Sequence, residues 1–334
     1  MNRRRVVPIA LALFGAGCAL PVEPDPSATA KPQVDAGPPV EAGCRLFEGA
    51  PKAPSGAGRS IILPSGALWL FDDVATVLDA GSPCSANSAA IAPLSLDTSA
   101  LGSDRSATPL DGVSIDGATV LYLQVFAPDP AAAFGVREEG IAVATRPDLA
   151  SPFVAQTFLW TADRPAFGAS VLREDGFLFV YGCRTAGLDS TCSVARVPEG
   201  SATDASAYRY DDGGGNWVGD IELVAPLAGG GPTVSVRHDT ARSRYLMSSV
   251  PALGGDLELR TGLGPAGPWS KAFVIGKCDV PAGAFCVGAV QHPELAAEGE
   301  IALTYGVASL SAGAKDPKAY WPRLVTMPWP ADLP

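Results

Sequence analysis

The stretch GVSIDGATVLYLQVF, residues 112–126, decides the fold. A short strand runs into a tight turn containing Asp116 and Gly117. The chain then returns through an apolar, β-branched and aromatic strand. The same order recurs in SIILPSGALWLFDDV (60–74), ASVLREDGFLFVYGC (169–183), TVSVRHDTARSRYLMSSV (233–250) and AVQHPELAAEGEIALTYG (289–306). With Trp69, Tyr122, Phe179, Leu246 and Leu303 as centres of the second strands, the spacings are 53, 57, 67 and 57 residues. A third strand follows in most units, as in GIAVATRPD, CSVARVPE, LELRTGLGPAGPWS and RLVTMPWP. Glycine and proline, 68 of 334 residues together, punctuate short apolar runs, and no segment keeps helical spacing beyond about two turns. Repeated antiparallel units of this period predict an all-β fold, a five-bladed β-propeller whose blades cover one another's apolar faces. A β-sandwich is the rival reading, but five units with one internal order favour the propeller.

Outward from the repeats, the N-terminus has Arg3, Arg4 and Arg5 followed by an uncharged apolar run, Val6 to Ala16, ending in GAGC. This is the pattern of a secretory signal, too short to span a bilayer. LFGAGCAL resembles a bacterial lipoprotein signal, which implies acylation of Cys18 and a membrane contact through that anchor alone, in the cell envelope; ordinary secretion is the alternative. Residues 1–17 are read as the signal peptide, 18–43 as a proline-rich tether with six prolines in 19–43, and 44–334 as the propeller. The remaining six cysteines read as a disulfide framework of an exported chain. Proximity pairs Cys183 with Cys192 and Cys278 with Cys286, leaving Cys44 for Cys84. Zinc is the competing use of cysteine, but no CxxC is present.

The formal charge of −11 becomes −14 without Arg3, Arg4 and Arg5. With no basic cluster, the chain is a poor candidate for nucleic acid or anionic headgroups, and no nucleic-acid partner is expected. A neutral, cationic or metal-bridged partner fits better, and a monomer is expected.

The strings LELRTGLGPAGPWSKAF and HPELAAEGEIALTYG resemble the five-bladed propellers of the arabinanase, xylosidase and levansucrase kind, and more closely a bacterial domain family of unknown function related to them. In those relatives a GPW turn ends the third strand of blade four, and HPE opens blade five. SGALWLFDDV, NSAA at Asn87 to Ala90 and SVARVP at Ser193 to Pro198 match as well, with Asp73 at the family's aspartate. The resemblance spans nearly all of residues 55–330 and implies a polysaccharide or glycan partner. It further implies a glycoside-hydrolase mechanism with two carboxyl groups, one to protonate the leaving oxygen and one as base or nucleophile.

Asp73 and Glu294 are the candidate catalytic pair. Asn87, Asp111, Arg237 and His292 are candidate substrate-binding residues. Strand alternation places His292 and Glu294 on one face of an innermost strand AVQHPEL. It puts Arg237 and Asp239 on one face of TVSVRHDT and His238 on the other. The acids of FGASVLRED fall in the turn of the third unit. Each candidate also has a structural reading: a capping carboxylate for Asp73, a hydrogen-bonded funnel residue for His292, an internal ion pair for Arg237. Trp69, Trp160, Trp217 and Trp269 read as core more than as sugar platforms. No phosphate-binding loop, HExxH or GxSxG elbow occurs, and no cofactor is expected apart from a calcium ion that the propeller axis could hold. A non-enzymatic surface propeller making protein contacts is the alternative function.

Overall fold

In the computed structural model, residues 43–46, 56–72, 74–78, 84, 92–132, 135–309, 321–331 and 333 are described. The signal, the tether up to residue 42, Cys18, Asp73 and Asn87 lie outside the described residues.

The tight turns reverse the chain where the sequence places them. Asp116 and Gly117 have φ of 49° and 87°, and Asp175 and Gly176 have 50° and 77°. Two successive left-handed residues are what the tightest hairpin turns demand, and Asp-Gly tolerates that conformation well. Blade one is built from β1 (Arg59–Leu63), β2 (Gly66–Leu70), β3 (Val74–Leu78) and β4 (Ala92–Pro93), paired in that order. Blade two contains β5 (Leu96–Asp97), β6 (Ser106–Ile115), β7 (Ala118–Pro128), β8 (Val136–Arg146) and β9 (Phe153–Thr161). Here β6 to β9 form a meander, and β5 adds in parallel to the outer edge of β9.

Blade three runs from β10 (Ala166–Glu174) through β11 (Phe177–Ala186) and β12 (Asp189–Pro198) to the small strands β13 (Arg209–Asp211), β14 (Trp217–Val218) and β15 (Ala228–Gly229). Blade four is β16 (Val234–Asp239), β17 (Arg244–Ser249), β18 (Asp256–Gly262) and β19 (Phe273–Lys277). Blade five is β20 (Ala284–Gln291), β21 (Glu300–Ser309) and β22 (Arg323–Pro328). Residues 43–46 complete blade five. Leu324 N–H donates to Cys44 O at 3.0 Å, and Leu46 N–H donates to Pro322 O at 2.9 Å. One blade thus takes strands from both ends of the chain, which closes the ring.

The apolar runs are continuous because both faces of each central strand are buried. On β7, Val120 and Tyr122 pack toward blade three with Trp160, Phe167 and Val180, whereas Leu121, Leu123 and Val125 pack toward blade one with Ile61, Leu68 and Leu70. Further clusters fill the interfaces between blades three and four (Tyr181, Met247), four and five (Leu257, Leu303) and five and one (Leu46, Trp69, Leu324). A sandwich has only one such layer between two sheets. The fold is the all-β, five-bladed β-propeller.

All three cysteine pairs are disulfides: Cys44–Cys84, Cys183–Cys192 and Cys278–Cys286. They mark an exported protein of an oxidising compartment. No helix among the described residues is long and apolar enough to cross a membrane.

Candidate functional site

The innermost strands β1, β6, β10, β16 and β20 surround the axis and are tied by a belt of polar contacts. Asp111 Oδ2 accepts the N–H of Val171 at 2.9 Å, Ser170 Oγ that of Val236 at 2.9 Å, and Ser235 Oγ that of Gln291 at 3.1 Å. Each link runs from one blade to the next, so the side chains satisfy backbone donors that strand pairing leaves open at the axis. β-Bulges adjust the strands for this role: the register shifts between Pro109 and Gly112, Phe167 and Ser170, and Val287 and Val290. At the second bulge, Gly168 has φ of 103°, and a Cβ there would lie 2.4 Å from the Cβ of Tyr122.

Asp111 sits in the middle of β6 with no exposed surface. Its Oδ1 accepts Gly112 N–H at 2.9 Å, and its Oδ2 also faces Arg237 Nη1 and Nη2 at 3.4 and 3.5 Å. Arg237 Nη1 further reaches Val236 O at 2.9 Å and both Val171 O and Ser170 Oγ at 3.3 Å. Arg59, at the start of β1, completes this group. Burial lowers its pKa, Asp111 acts to raise it, and the like charge of Arg237 lowers it further.

Blades five and one meet at His292. This residue is fully buried and stacked on Trp69, ring centroids 4.6 Å apart. Its Nδ1 lies 2.8 Å from Ser60 Oγ and 3.1 Å from Glu294 Oε1, while its Nε2 lies 2.7 Å from Thr304 Oγ1. Ser60 Oγ donates to Glu294 Oε1 at 2.5 Å. Burial lowers the pKa of His292, so the ring is neutral at pH 7. Burial alone would raise that of Glu294, but the hydrogen bonds from His292 and Ser60 bring it below the ordinary carboxylate value. The Thr304 hydroxyl donates to Gly58 O at 3.2 Å.

This arrangement is not a nucleophilic triad. Serine and acid share one ring nitrogen, whereas a triad needs them on opposite nitrogens.

The expected strand AVQHPEL is shorter than the alternation suggested. β20 ends at Gln291, and Pro293 to Leu295 form a single 3-10 turn, because Pro293 cannot donate to the sheet. His292 and Glu294 nevertheless meet, through the turn. Gln291 points the other way, donating to Ser235 O and Leu246 O at 2.7 and 3.0 Å. On β16 the alternation holds: Arg237 faces Asp111, while His238 lies on the other face against Glu174 Oε1 at 2.8 Å. Trp69 and Trp160 are buried in the core. Arg59, Ser60, Ser170 and Thr304 were not singled out from the sequence. The alternation that located Arg237 would have found Arg59 and Ser60 had it been applied to GRSIIL.

Calcium requires six to eight oxygen ligands. The described axis offers the guanidinium groups of Arg59 and Arg237, and its buried carboxylate, Asp111, is already engaged through both oxygens. No group of three or more His, Cys, Asp or Glu side chains among the described residues could hold a metal ion. These residues do not fit an axial calcium.

Residues 95–321 match the family described as Domain of unknown function (DUF5005). The chain belongs to this family. No curated protein matches it. Among solved structures, this DUF5005 propeller is similar to a Bacteroides ovatus protein, with TM-score 0.61 and 14% identity over 85% of this chain and 88% of that one. It is also similar to a family 43 glycoside hydrolase of Xanthomonas citri complexed with xylose, with TM-score 0.54 and 15% identity over 88% and 92%. A family 43 β-xylosidase/α-arabinofuranosidase from a compost metagenome, in a calcium-free complex with xylotriose, gives TM-score 0.51 and 14% identity over 86% and 94%. At these identities the likeness is one of fold: the DUF5005 chain has a glycoside-hydrolase-like propeller.

Proposed function

We propose that this protein is an exported propeller, anchored through an acylated Cys18, that binds a polysaccharide in its central funnel. The observation that supports this best is the fold it shares with family 43 enzymes crystallised with xylose and xylotriose. Arg237 and Glu294 are the groups suited to meet a sugar, since their side chains keep 18% and 22% of their surface exposed. A guanidinium donates to sugar hydroxyls and a carboxylate accepts from them. Asp111 and His292 have no exposed surface and act through these neighbours, holding Arg237 and Glu294 in place. Asn87 is a further candidate for ligand contact.

Hydrolysis would add Asp73 to Glu294 as the carboxyl pair. Glu294 is held ionised by His292 and Ser60, which suits a base or nucleophile, so the proton donor in that reading is Asp73. The test is binding and sugar release with arabinan, xylan, fructan and bacterial cell-wall glycans, using the mature protein, Asp73→Ala and Glu294→Gln. Release that either substitution abolishes supports a hydrolase. Binding without release supports a glycan receptor, and no response to any glycan overturns the reading in favour of protein contacts. Mass spectrometry of the mature N-terminus tests the anchor, with diacylglyceryl on Cys18 as the expected product.

A further inference from the structure

The axis contains an imbalance that the fold itself does not require. Arg59 Nη1 is buried and has no hydrogen-bond acceptor among the described residues. Nearly all buried donors in folded proteins have a partner, and an unmet charged donor points to a group that arrives from outside. Arg237 is also underused: its short contact is Nη1 to Val236 O at 2.9 Å, while the contact of Nη2 to Asp111 Oδ2 is 3.5 Å. Asp111 cannot serve both arginines well, because its better bonds, 2.9 Å each, go to the N–H groups of Gly112 and Val171. Among the charges acting on Arg59, Asp111 is the principal attraction and Arg237 the repulsion, with Asp72 the weakest. Arg237 therefore leans on a carboxylate that is already engaged, and Arg59 feels that carboxylate's charge without an ion pair to it, inside a protein whose net charge is −11.

Paired N–H groups of a guanidinium match the two oxygens of a carboxylate. Both arginines remain accessible in part: Arg237 is 18% exposed, and Arg59 is only partly buried as a residue. Glu294, which accepts from Ser60 next to Arg59 in β1, is ionised, so it repels an anion but accepts from hydroxyls. The site thus has one end for a carboxylate and one for neutral sugar hydroxyls. From this geometry, and resting on the funnel as the glycan site, we infer that the ligand is an acidic glycan whose uronic acid carboxylate sits between Arg59 and Arg237.

Titration calorimetry of the mature protein with trigalacturonate, xylotriose and sodium acetate tests this. Trigalacturonate is expected to bind at least tenfold more tightly than xylotriose, and acetate more weakly than either. Arg59→Met should abolish the tenfold preference while leaving xylotriose affinity within about twofold and the Tm unchanged or raised, as the burial penalty on the Arg59 charge is removed. Arg59→Lys, which keeps the charge without the fork, should retain part of the preference and decides the matter if the methionine variant does not fold. Equal affinity for the two sugars overturns the inference and leaves the glycan reading standing, whereas no binding of either sugar overturns both. Acetate binding as tightly as trigalacturonate identifies a small-anion site instead, and a preference that survives both substitutions also overturns the proposal.

Discussion

The interface between blades two and three and the seam between blades five and one solve one problem with different materials. Between blades two and three, Tyr122, Trp160, Phe167, Tyr208 and Tyr210 form a buried aromatic cluster. Trp160 lies 4.8 Å from both Phe167 and Tyr208, ring centre to ring centre. The polar tips are matched in series: Trp160 Nε1 donates to Tyr210 Oη at 2.8 Å, Tyr208 Oη donates to Ala202 O at 2.7 Å, and Tyr122 Oη therefore donates to Tyr208 Oη at 2.8 Å. At the seam, β1 and β2 are five residues each, and Ser60, His292, Glu294 and Thr304 supply a hydrogen-bonded network. Residues 43–46 and the Cys44–Cys84 disulfide fasten it. Blades two and three follow each other in sequence, so apolar burial meets a small loop-closure cost. The seam joins residues as distant as Gly58 and Thr304, 246 apart, where closing the ring costs more chain entropy. Directional and covalent contacts hold the seam where apolar burial is thinner.

The largest effect expected from this contrast is at the aromatic cluster. Trp160→Ala should lose about 3–5 kcal/mol in urea unfolding, since it leaves a cavity and removes a donor from Tyr210. A loss under about 1.5 kcal/mol would show that this interface does not depend on its rings. The double replacement Cys44→Ala with Cys84→Ala opens a loop spanning 40 residues and should cost roughly 2–4 kcal/mol. Hydrogen exchange should then rise first in residues 43–46 and β22, and a uniform rise throughout the molecule would erase the distinction between seam and body.

Acid should act on the seam as well. His292 has a folded pKa below 6.5 and Glu294 one below 4.5. For a depressed folded pKa, the stabilisation is complete above the unfolded value and disappears as the pH falls toward the folded one. Stability should therefore decline below about pH 6.5 and again below about pH 4.5, with a slope of at most about 1.4 kcal/mol per pH unit for each proton. His292→Gln should flatten the upper limb, and an unchanged upper limb in that variant would assign it to other groups. The smallest effect is that of Glu294→Gln, about 1 kcal/mol at pH 7, because Ser60 can still donate to the amide oxygen. A loss of several kcal/mol would mean that the charge of Glu294, and not its hydrogen bonds, holds the blades together.

Much of the architecture was readable because its signals are local. Asp116-Gly117 and Asp175-Gly176 define hairpins within a few residues, and Cys183 and Cys192 lie directly opposite each other in the β11–β12 ladder, so nearness in sequence gave the pair. The strand VLYLQVF is apolar on both faces because blades pack against both, and that is already visible in its composition. The candidate site was only partly readable. Alternation identified Arg237 and His292, yet it placed Glu294 in a strand that ends at Gln291. It also gave no reason to join Ser60 to His292, 232 residues away.

The sequence by itself determined the five repeated units, their turns and the two close cysteine pairs, since each follows from a two-residue strand period or from short chain separation, and the Cys44–Cys84 pair followed by elimination. Only the tertiary structure decided which residues meet at the axis. A strand's period states which face a side chain takes, not how far along the axis it sits, and the bulges near Asp111, Ser170 and Val290 shift that phase locally. The ion pair of Asp111 with Arg237, 126 residues apart on blades two and four, arises from closing the ring, and no local pattern exists for it.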